Sequence, residues 1–289
     1  MVDTVYETEP GVRVLVREHH PPAGKKPIGE VVLVHGLEGS MDSGYMRSLA
    51  HYGADAGWCV HRTNIRTCGP TETWCKTLYH AGLSTDIKHI VRSLAAQGRG
   101  PIFIVGYSLG GNQVLNAAAE LSVESPGMIA GACAVCTPIQ LAPCSKKIEE
   151  RANYVYMTRF LSSMKKRLKR RAAAMPGVFS LEGLDEVQTI YQIDDLVTAP
   201  HFGFGTADHY YATQSAAVRL GQVNMPVLLV AAEDDPIVPI SCYDHPVMKG
   251  NANLQFERMR RGGHVSFLAR GEKRFWLDHF LLDWMKRWV

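Results

Sequence analysis

The sequence has little net charge, no long apolar run and no repeat. Its 31 Lys and Arg against 28 Asp and Glu leave +3 over 289 residues, too small an excess to mark a nucleic-acid binder. No apolar run approaches the roughly 18–20 residues that a membrane span needs, so no integral membrane segment is expected. The chain starts Met-Val-Asp-Thr-Val-Tyr-Glu-Thr-Glu, polar and acidic, without the apolar core of a secretory signal. The expected compartment is the cytoplasm. Seven cysteines cannot all pair, and in a reducing compartment they read as thiols. Cys133-x-x-Cys136 has the spacing of a zinc or redox motif, yet it falls in the apolar run 128–136, which reads as a strand. Residues three apart on a strand face opposite sides. The expectation is two diverging sulfurs and no metal.

What is present centres on residues 102–112. An apolar run, Ile-Phe-Ile-Val, ends in Gly106-Tyr107-Ser108-Leu109-Gly110, and a helix-forming segment follows at once. Strand, sharp turn and helix with a serine at the apex is the context that gives G-x-S-x-G its meaning, the nucleophile elbow. A tight turn wants small residues two before and two after the serine, and both are glycine. The helix behind aims free N–H groups at any oxyanion formed there.

Along the chain, buried-strand runs alternate with helical patterns. Residues 12–17 suit an early antiparallel strand, and 30–34 and 58–64 suit buried ones. Ser84 starts a helical stretch with Ile87, Ile90, Val91 and Leu94 at helical spacing. Further strands are expected at 128–136, 226–232 and 253–258, and a closing helix at 275–288 with Trp276, Phe280 and Trp284 on one face. The expected fold class is α/β, a mostly parallel sheet covered by helices on both faces. Residues 138–225 lack strand runs and are too long for a bare loop. They are expected to form a mostly helical cap inserted in a core of 1–137 and 226–289. Met157, Phe160, Leu161, Met164 and Leu168 predict one amphipathic cap helix. The basic residues crowding positions 165–171 read first as its solvated face, with contact to an acidic surface as the other reading.

A serine hydroxyl needs a base within hydrogen-bond reach, and the base needs an acid to orient it. Loops beyond the carboxyl ends of parallel strands share one sheet edge, so Ser108, an aspartate after strand 226–232 and a histidine after the last strand can converge. Of the 12 histidines, His264 alone sits in a Gly-Gly turn after that strand. Asp234 and Asp235 point apart, and one of them can meet His264. The run Asp235-Pro-Ile-Val-Pro fits the usual spacing of the acid turn, which favours Asp235, with Asp234 as the alternative acid. The oxyanion donors expected are the backbone N–H groups of Leu37, after the strand-ending His35-Gly36, and of Leu109. His35 shapes its loop and is neither acid nor base. No metal or organic cofactor is called for.

These motifs together resemble the YheT-like branch of the α/β-hydrolases, which includes the ABHD-type hydrolases and the EMB8-type plant proteins. His35-Gly-Leu-Glu-Gly-Ser40 is similar to the oxyanion loop of that branch. Asn64-Ile-Arg66-Thr-Cys68-Gly69 resembles its N-x-R-G-C motif, with Thr67 where glycine is usual. Tyr79-His80-Ala-Gly82 with Asp86 resembles its Y-H-x-G…D segment, read as structural support for the loop after Arg66. Thr198 to Phe204, Asp208 to Tyr211 and Ala232 to Pro236 resemble the end of its cap and its acid turn. The resemblance implies a serine hydrolase acting on small-molecule acyl esters. Some members carry an N-terminal membrane anchor, and this chain is expected to lack one. Lipase, phospholipase and thioesterase chemistry would use the same triad. A non-catalytic binding protein on the same fold is the alternative from another class.

Overall fold

The computed structural model describes residues 1–271 and 274–289. Five consecutive strands are buried along their whole length: β3 (Glu30–Val34), β4 (Cys59–Asn64), β5 (Ile102–Tyr107), β6 (Gly131–Val135) and β7 (Val227–Ala232). Such continuous burial belongs to parallel strands covered on both faces. With β1 (Val2–Glu9), β2 (Val12–His19) and β8 (Leu254–Met259) they form one sheet in the order β1-β2-β4-β3-β5-β6-β7-β8. β3 to β8 run parallel, and β1 and β2 are antiparallel at one edge.

Alternation along each strand sorts side chains into two layers. Val32, Val34 and Ile104 face one cluster with α2 (Thr85–Ala96) and α3 (Leu109–Glu124). Val31, Leu33, Phe103 and Val105 face another with α1 (Gly44–Asp55) and the C-terminal helix Trp276–Met285. The chain leaves β3 for β4 on one side and then crosses to β5 on the other. A crevice at the carboxyl ends of β3 and β5 follows from that reversal.

Between β6 and β7 the described residues form only helices and turns. α4 (Leu141–Ile148) and α5 (Tyr154–Ala174) are the first two. Met164, Leu168, Leu184, Ile190 and Ile193 make a satellite cluster there. The last turns return Ala216, Leu220, Val223 and Met225 to the main core. Among the described residues no helix is long and apolar enough to cross a membrane.

Several expectations need correction. β1 was not anticipated. Its residues are mostly exposed or half-buried, as suits an edge strand with little apolar signal. The strand expected at 128–136 is only Gly131–Val135. Cys136 lies past it with φ 46°, so its side chain joins Cys133 in the same apolar cluster and does not diverge to the opposite face. All seven cysteines are free. Of the closing helix's aromatic stripe, Trp284 is buried, while Trp276 and Phe280 stack 4.8 Å apart and only half-buried.

The basic segment of α5 is not a uniformly solvated face. Arg171 is fully buried, donating to the carbonyls of Glu72, Cys75 and Thr77. Arg167 is also buried and pairs with Glu38 at 2.8 Å, and Arg170 grips Glu72 with two bonds. These cations tie α5 to the loops below it.

Thr67 occupies a backbone position that suits glycine. Its φ is +62°, the left-handed region that disfavours β-branched residues. Its hydroxyl is buried with no hydrogen-bond partner among the described residues. Thr67→Gly is expected to raise stability by about 1 kcal/mol, the relief of strain and of the unpaired hydroxyl outweighing the entropy cost of glycine. A urea midpoint lower than that of the wild type would refute this account.

Candidate active site

The elbow is built by close approach. Ser108 stands between β5 and α3 with φ 53° and ψ −124°, and its N–H donates to Val135 O at 2.8 Å. A Cβ on Gly106 would lie 2.4 Å from Gly110 O, and one on Gly110 would lie 2.2 Å from His35 O. Neither contact is tolerable, so strand, turn and the loop after β3 can meet only where both residues are glycine. Non-glycine backbone in this region costs about 1–3 kcal/mol and persists where the surroundings over-determine it. Here the sheet below and the helix behind do so.

Three side chains distant in sequence meet at this point. Ser108 Oγ is 2.9 Å from His264 Nε2, and His264 Nδ1 is 2.9 Å from Asp235 Oδ2 and 3.1 Å from Oδ1. The Asp235 side chain is almost fully buried, while that of His264 is slightly open to solvent. Asp235 Oδ1 also accepts the N–H groups of Ile237 and Val238, at 2.8 and 3.0 Å. The carboxylate is thereby locked against rotation. Asp234 faces elsewhere. Its Oδ1 accepts the N–H groups of Gly262 and Gly263, at 2.9 and 2.8 Å, and holds the turn that carries His264.

The loop after β3 supplies the opposite wall. His35 is fully buried, and burial pushes its pKa down to about 4, so it is neutral. Its Nε2 accepts the Ile65 N–H at 3.1 Å, and its Nδ1 therefore donates to Gly36 O at 2.8 Å. It is a strut between the ends of β3 and β4. Leu37 follows, then Glu38 at φ 53°. Leu109 opens α3, ahead of the first bond to Ser108 O, which is made by the Gly111 N–H. Its own N–H is thus one of the orphan donors of a helix start. Leu37, Ser108 and Leu109 line one cavity together.

Sequence reasoning did not single out Glu38. It accepts from Tyr79 Oη at 3.3 Å, Ser163 Oγ at 2.7 Å and Arg167 Nε at 2.8 Å. The only available signals were its place in His-Gly-Leu-Glu-Gly-Ser and an arginine in the basic run. Arg66 makes a two-bond ion pair with Asp86, at 2.9 and 2.6 Å, and also meets Glu9. The carboxylate of Asp86 is spent on that pair and on the Thr8 hydroxyl. His80 packs edge-on against Phe202 and Phe204 in the cavity wall, and its Nδ1 accepts the Gly82 N–H. Neither His80 nor Asp86 is in hydrogen-bond contact with Ser108.

A family model described as the alpha/beta hydrolase fold matches residues 30–270. The chain belongs to the α/β-hydrolase family. It is 31% identical over 281 residues to the YheT protein of Escherichia coli, covering 94% of this chain and 80% of that one. It is 26% identical over 241 residues to the phospholipase ABHD3 of Mus musculus, covering 82% of this chain but only 58% of that protein. These relatives place it in the YheT-like branch. Among solved structures, an esterase of Pyrococcus furiosus superposes with a TM-score of 0.64 over 99% of this chain and 90% of that one, at 17% identity. The chain is an α/β-hydrolase of the esterase/lipase type.

Two spaces adjoin the serine of this hydrolase. An inner cavity of about 120 Å³ is walled by Leu109, Leu141, Ile148, Met164 and Val238 among others, and it is mainly apolar. An outer cleft of about 820 Å³ runs past Ser108 and His264 between Tyr156, Phe160 and the 262–266 turn. Arg167 and Asp194 bring ionisable groups to the inner cavity, Asp194 from a π-helical turn, Asp194–Thr198. Asp194 accepts the Tyr211 hydroxyl at 2.7 Å, and burial pushes its carboxyl up to about 6.

A carboxyl raised in the folded state from 3.8 to about 6 favours the fold when protonated. Its contribution is fully present below about pH 4 and is lost as the pH rises through 6. Asp194→Asn is therefore expected to flatten the fall in stability between pH 4 and pH 7 by about 2–3 kcal/mol relative to wild type. Urea melts across that range measure it, and parallel profiles for the two proteins would exclude the assignment.

Proposed function

We propose that the chain is a serine carboxylic-ester hydrolase for short-to-medium acyl esters, with Ser108, His264 and Asp235 as its triad. The observation that carries this reading is the continuous relay from Ser108 Oγ through His264 to Asp235, with both steps at 2.9 Å, opening on an apolar cavity. His264 takes the Ser108 proton as Oγ attacks the ester carbonyl. Asp235 holds the Nδ1–H tautomer and balances the charge that His264 gains. The N–H groups of Leu37 and Leu109 receive the oxyanion, each donor contributing about 2.7–4 kcal/mol of barrier lowering. His264 then protonates the leaving alcohol and activates the water that releases the acid.

Cavity size supports the acyl range. An apolar cavity of about 150 Å³ accommodates benzene, so about 120 Å³ suits an acyl chain of roughly four to six carbons. The alcohol portion would occupy the outer cleft. Residues 138–225 act in this reading as the cap that roofs the cavity. Thioester substrates would use the same groups. A lipase or phospholipase reading has one observation of its own. Tyr154, Val155 and Tyr156 are exposed at the start of α5, and Tyr156 and Phe160 stand at the cleft mouth. An exposed apolar rim of this kind suits a lipid surface.

A p-nitrophenyl ester panel from acetate to palmitate tests the assignment. Turnover is expected to peak at butyrate to hexanoate and to fall by about 10⁴-fold or more in Ser108→Ala. A sharp rise only above the aggregation threshold of long-chain esters would favour the lipase reading. No turnover, together with no labelling of Ser108 by a fluorophosphonate, would make the fold a binding module.

The two aspartates separate in the same assay. Asp235→Asn is expected to lower kcat by about 10⁴-fold through the wrong His264 tautomer, and Asp234→Asn by less than about 10-fold, since it loosens only a turn. The reverse ranking would reassign the acid.

A further inference from the structure

Two cysteines that take no part in the relay face each other across the joint between helical segment and sheet. Cys144 Sγ, on α4, lies 3.6 Å from Cys242 Sγ, in the turn Ile240–Asp244 that follows the acid loop. Both are buried, and 98 residues separate them. The segments carrying them are fixed side by side. Gln140 Nε2 donates to Cys242 O at 2.9 Å, while the Tyr243 hydroxyl accepts from Thr137 N–H and donates to Thr137 O, both at 2.8 Å. The sulfurs need to close by only about 1.5 Å to reach disulfide length.

We propose that Cys144 and Cys242 form an oxidative modification site, a thiol pair that a peroxide converts to a disulfide latching α4 to the acid loop. Access comes from the inner cavity, since Cys144 lines it together with Ser108 and Cys242 does not. A peroxide entering there transfers one oxygen to the Cys144 sulfur, giving a sulfenic acid and water. The Cys242 sulfur then attacks that sulfur, and the hydroxyl leaves with a proton as a second water. Two thiols and one hydrogen peroxide yield one disulfide and two waters. The contact prepares the second step, because it holds the Cys242 sulfur 3.6 Å from the sulfur that carries the sulfenic acid. The bond would enclose nearly all of the helical segment. It would also draw the Cys144 sulfur out of the cavity wall, towards the turn that follows Val238 and Asp235.

The pairing stands independently of the esterase reading and is tested without turnover. The protein is exposed to hydrogen peroxide, alkylated, digested without reduction and examined by mass spectrometry. The expected product is a peptide pair joined through Cys144 and Cys242, lost on dithiothreitol treatment and missing in both Cys144→Ser and Cys242→Ser. The oxidised protein should also melt roughly 5 °C above the reduced protein, because a long loop has been closed. Recovery of both cysteines as alkylated thiols, or as separate sulfinic acids, would overturn the proposal. So would their appearance in bonds to other cysteines.

Discussion

A close approach of backbone to backbone shapes the candidate active site. Gly110 passes so near His35 O, and Gly106 so near Gly110 O, that a single added carbon at either position would overlap backbone. That approach brings the end of β3, the end of β5 and the start of α3 to one point. It fixes Ser108 in a backbone conformation that a free chain would avoid. Leu37, Ser108 and Leu109 line one cavity because those same backbones touch. Strain, proposed nucleophile and proposed oxyanion donors are therefore one piece of geometry, and no side chain could be tuned to replace it.

A second layer of order comes from buried charge. Arg66 with Asp86, Arg167 with Glu38, and Arg171 with three carbonyls each join segments far apart in the chain. Removing one partner from such a pair leaves an unpaired buried charge, which is far costlier than losing a surface contact. The arginines thus act as registers between loops.

The sheet and the elbow were legible because their signals are local. A run of β-branched residues followed by Gly-x-Ser-x-Gly needs no partner to be read, and chain order alone put Asp235 and His264 after the strands that present them. What was not legible depends on partners. β1 carries few apolar residues because one side of an edge strand faces water. Cys136 escapes strand alternation because its backbone turns at φ 46°, which residue spacing does not reveal. The basic run of α5 looked like a solvated face because charge patterning says nothing of what lies beneath a helix. Asp194, next to Asp195, and Glu38 look like ordinary acidic residues in the sequence, and only the packed structure distinguishes them from surface ones.

Glu38 has a consequence for how the hydrolase would work as a device. Two of its three donors, Ser163 and Arg167, belong to α5, and the residue before it carries the proposed oxyanion N–H. If α5 lifts, Glu38 keeps only the longer bond from Tyr79. The loop proposed to receive negative charge would then lose its bracing as the proposed roof lifted. In the proposed reading, opening and reactivity would be geared against each other, as in a safety interlock: a door that admitted an acyl chain would have to shut before the serine had anything to push against.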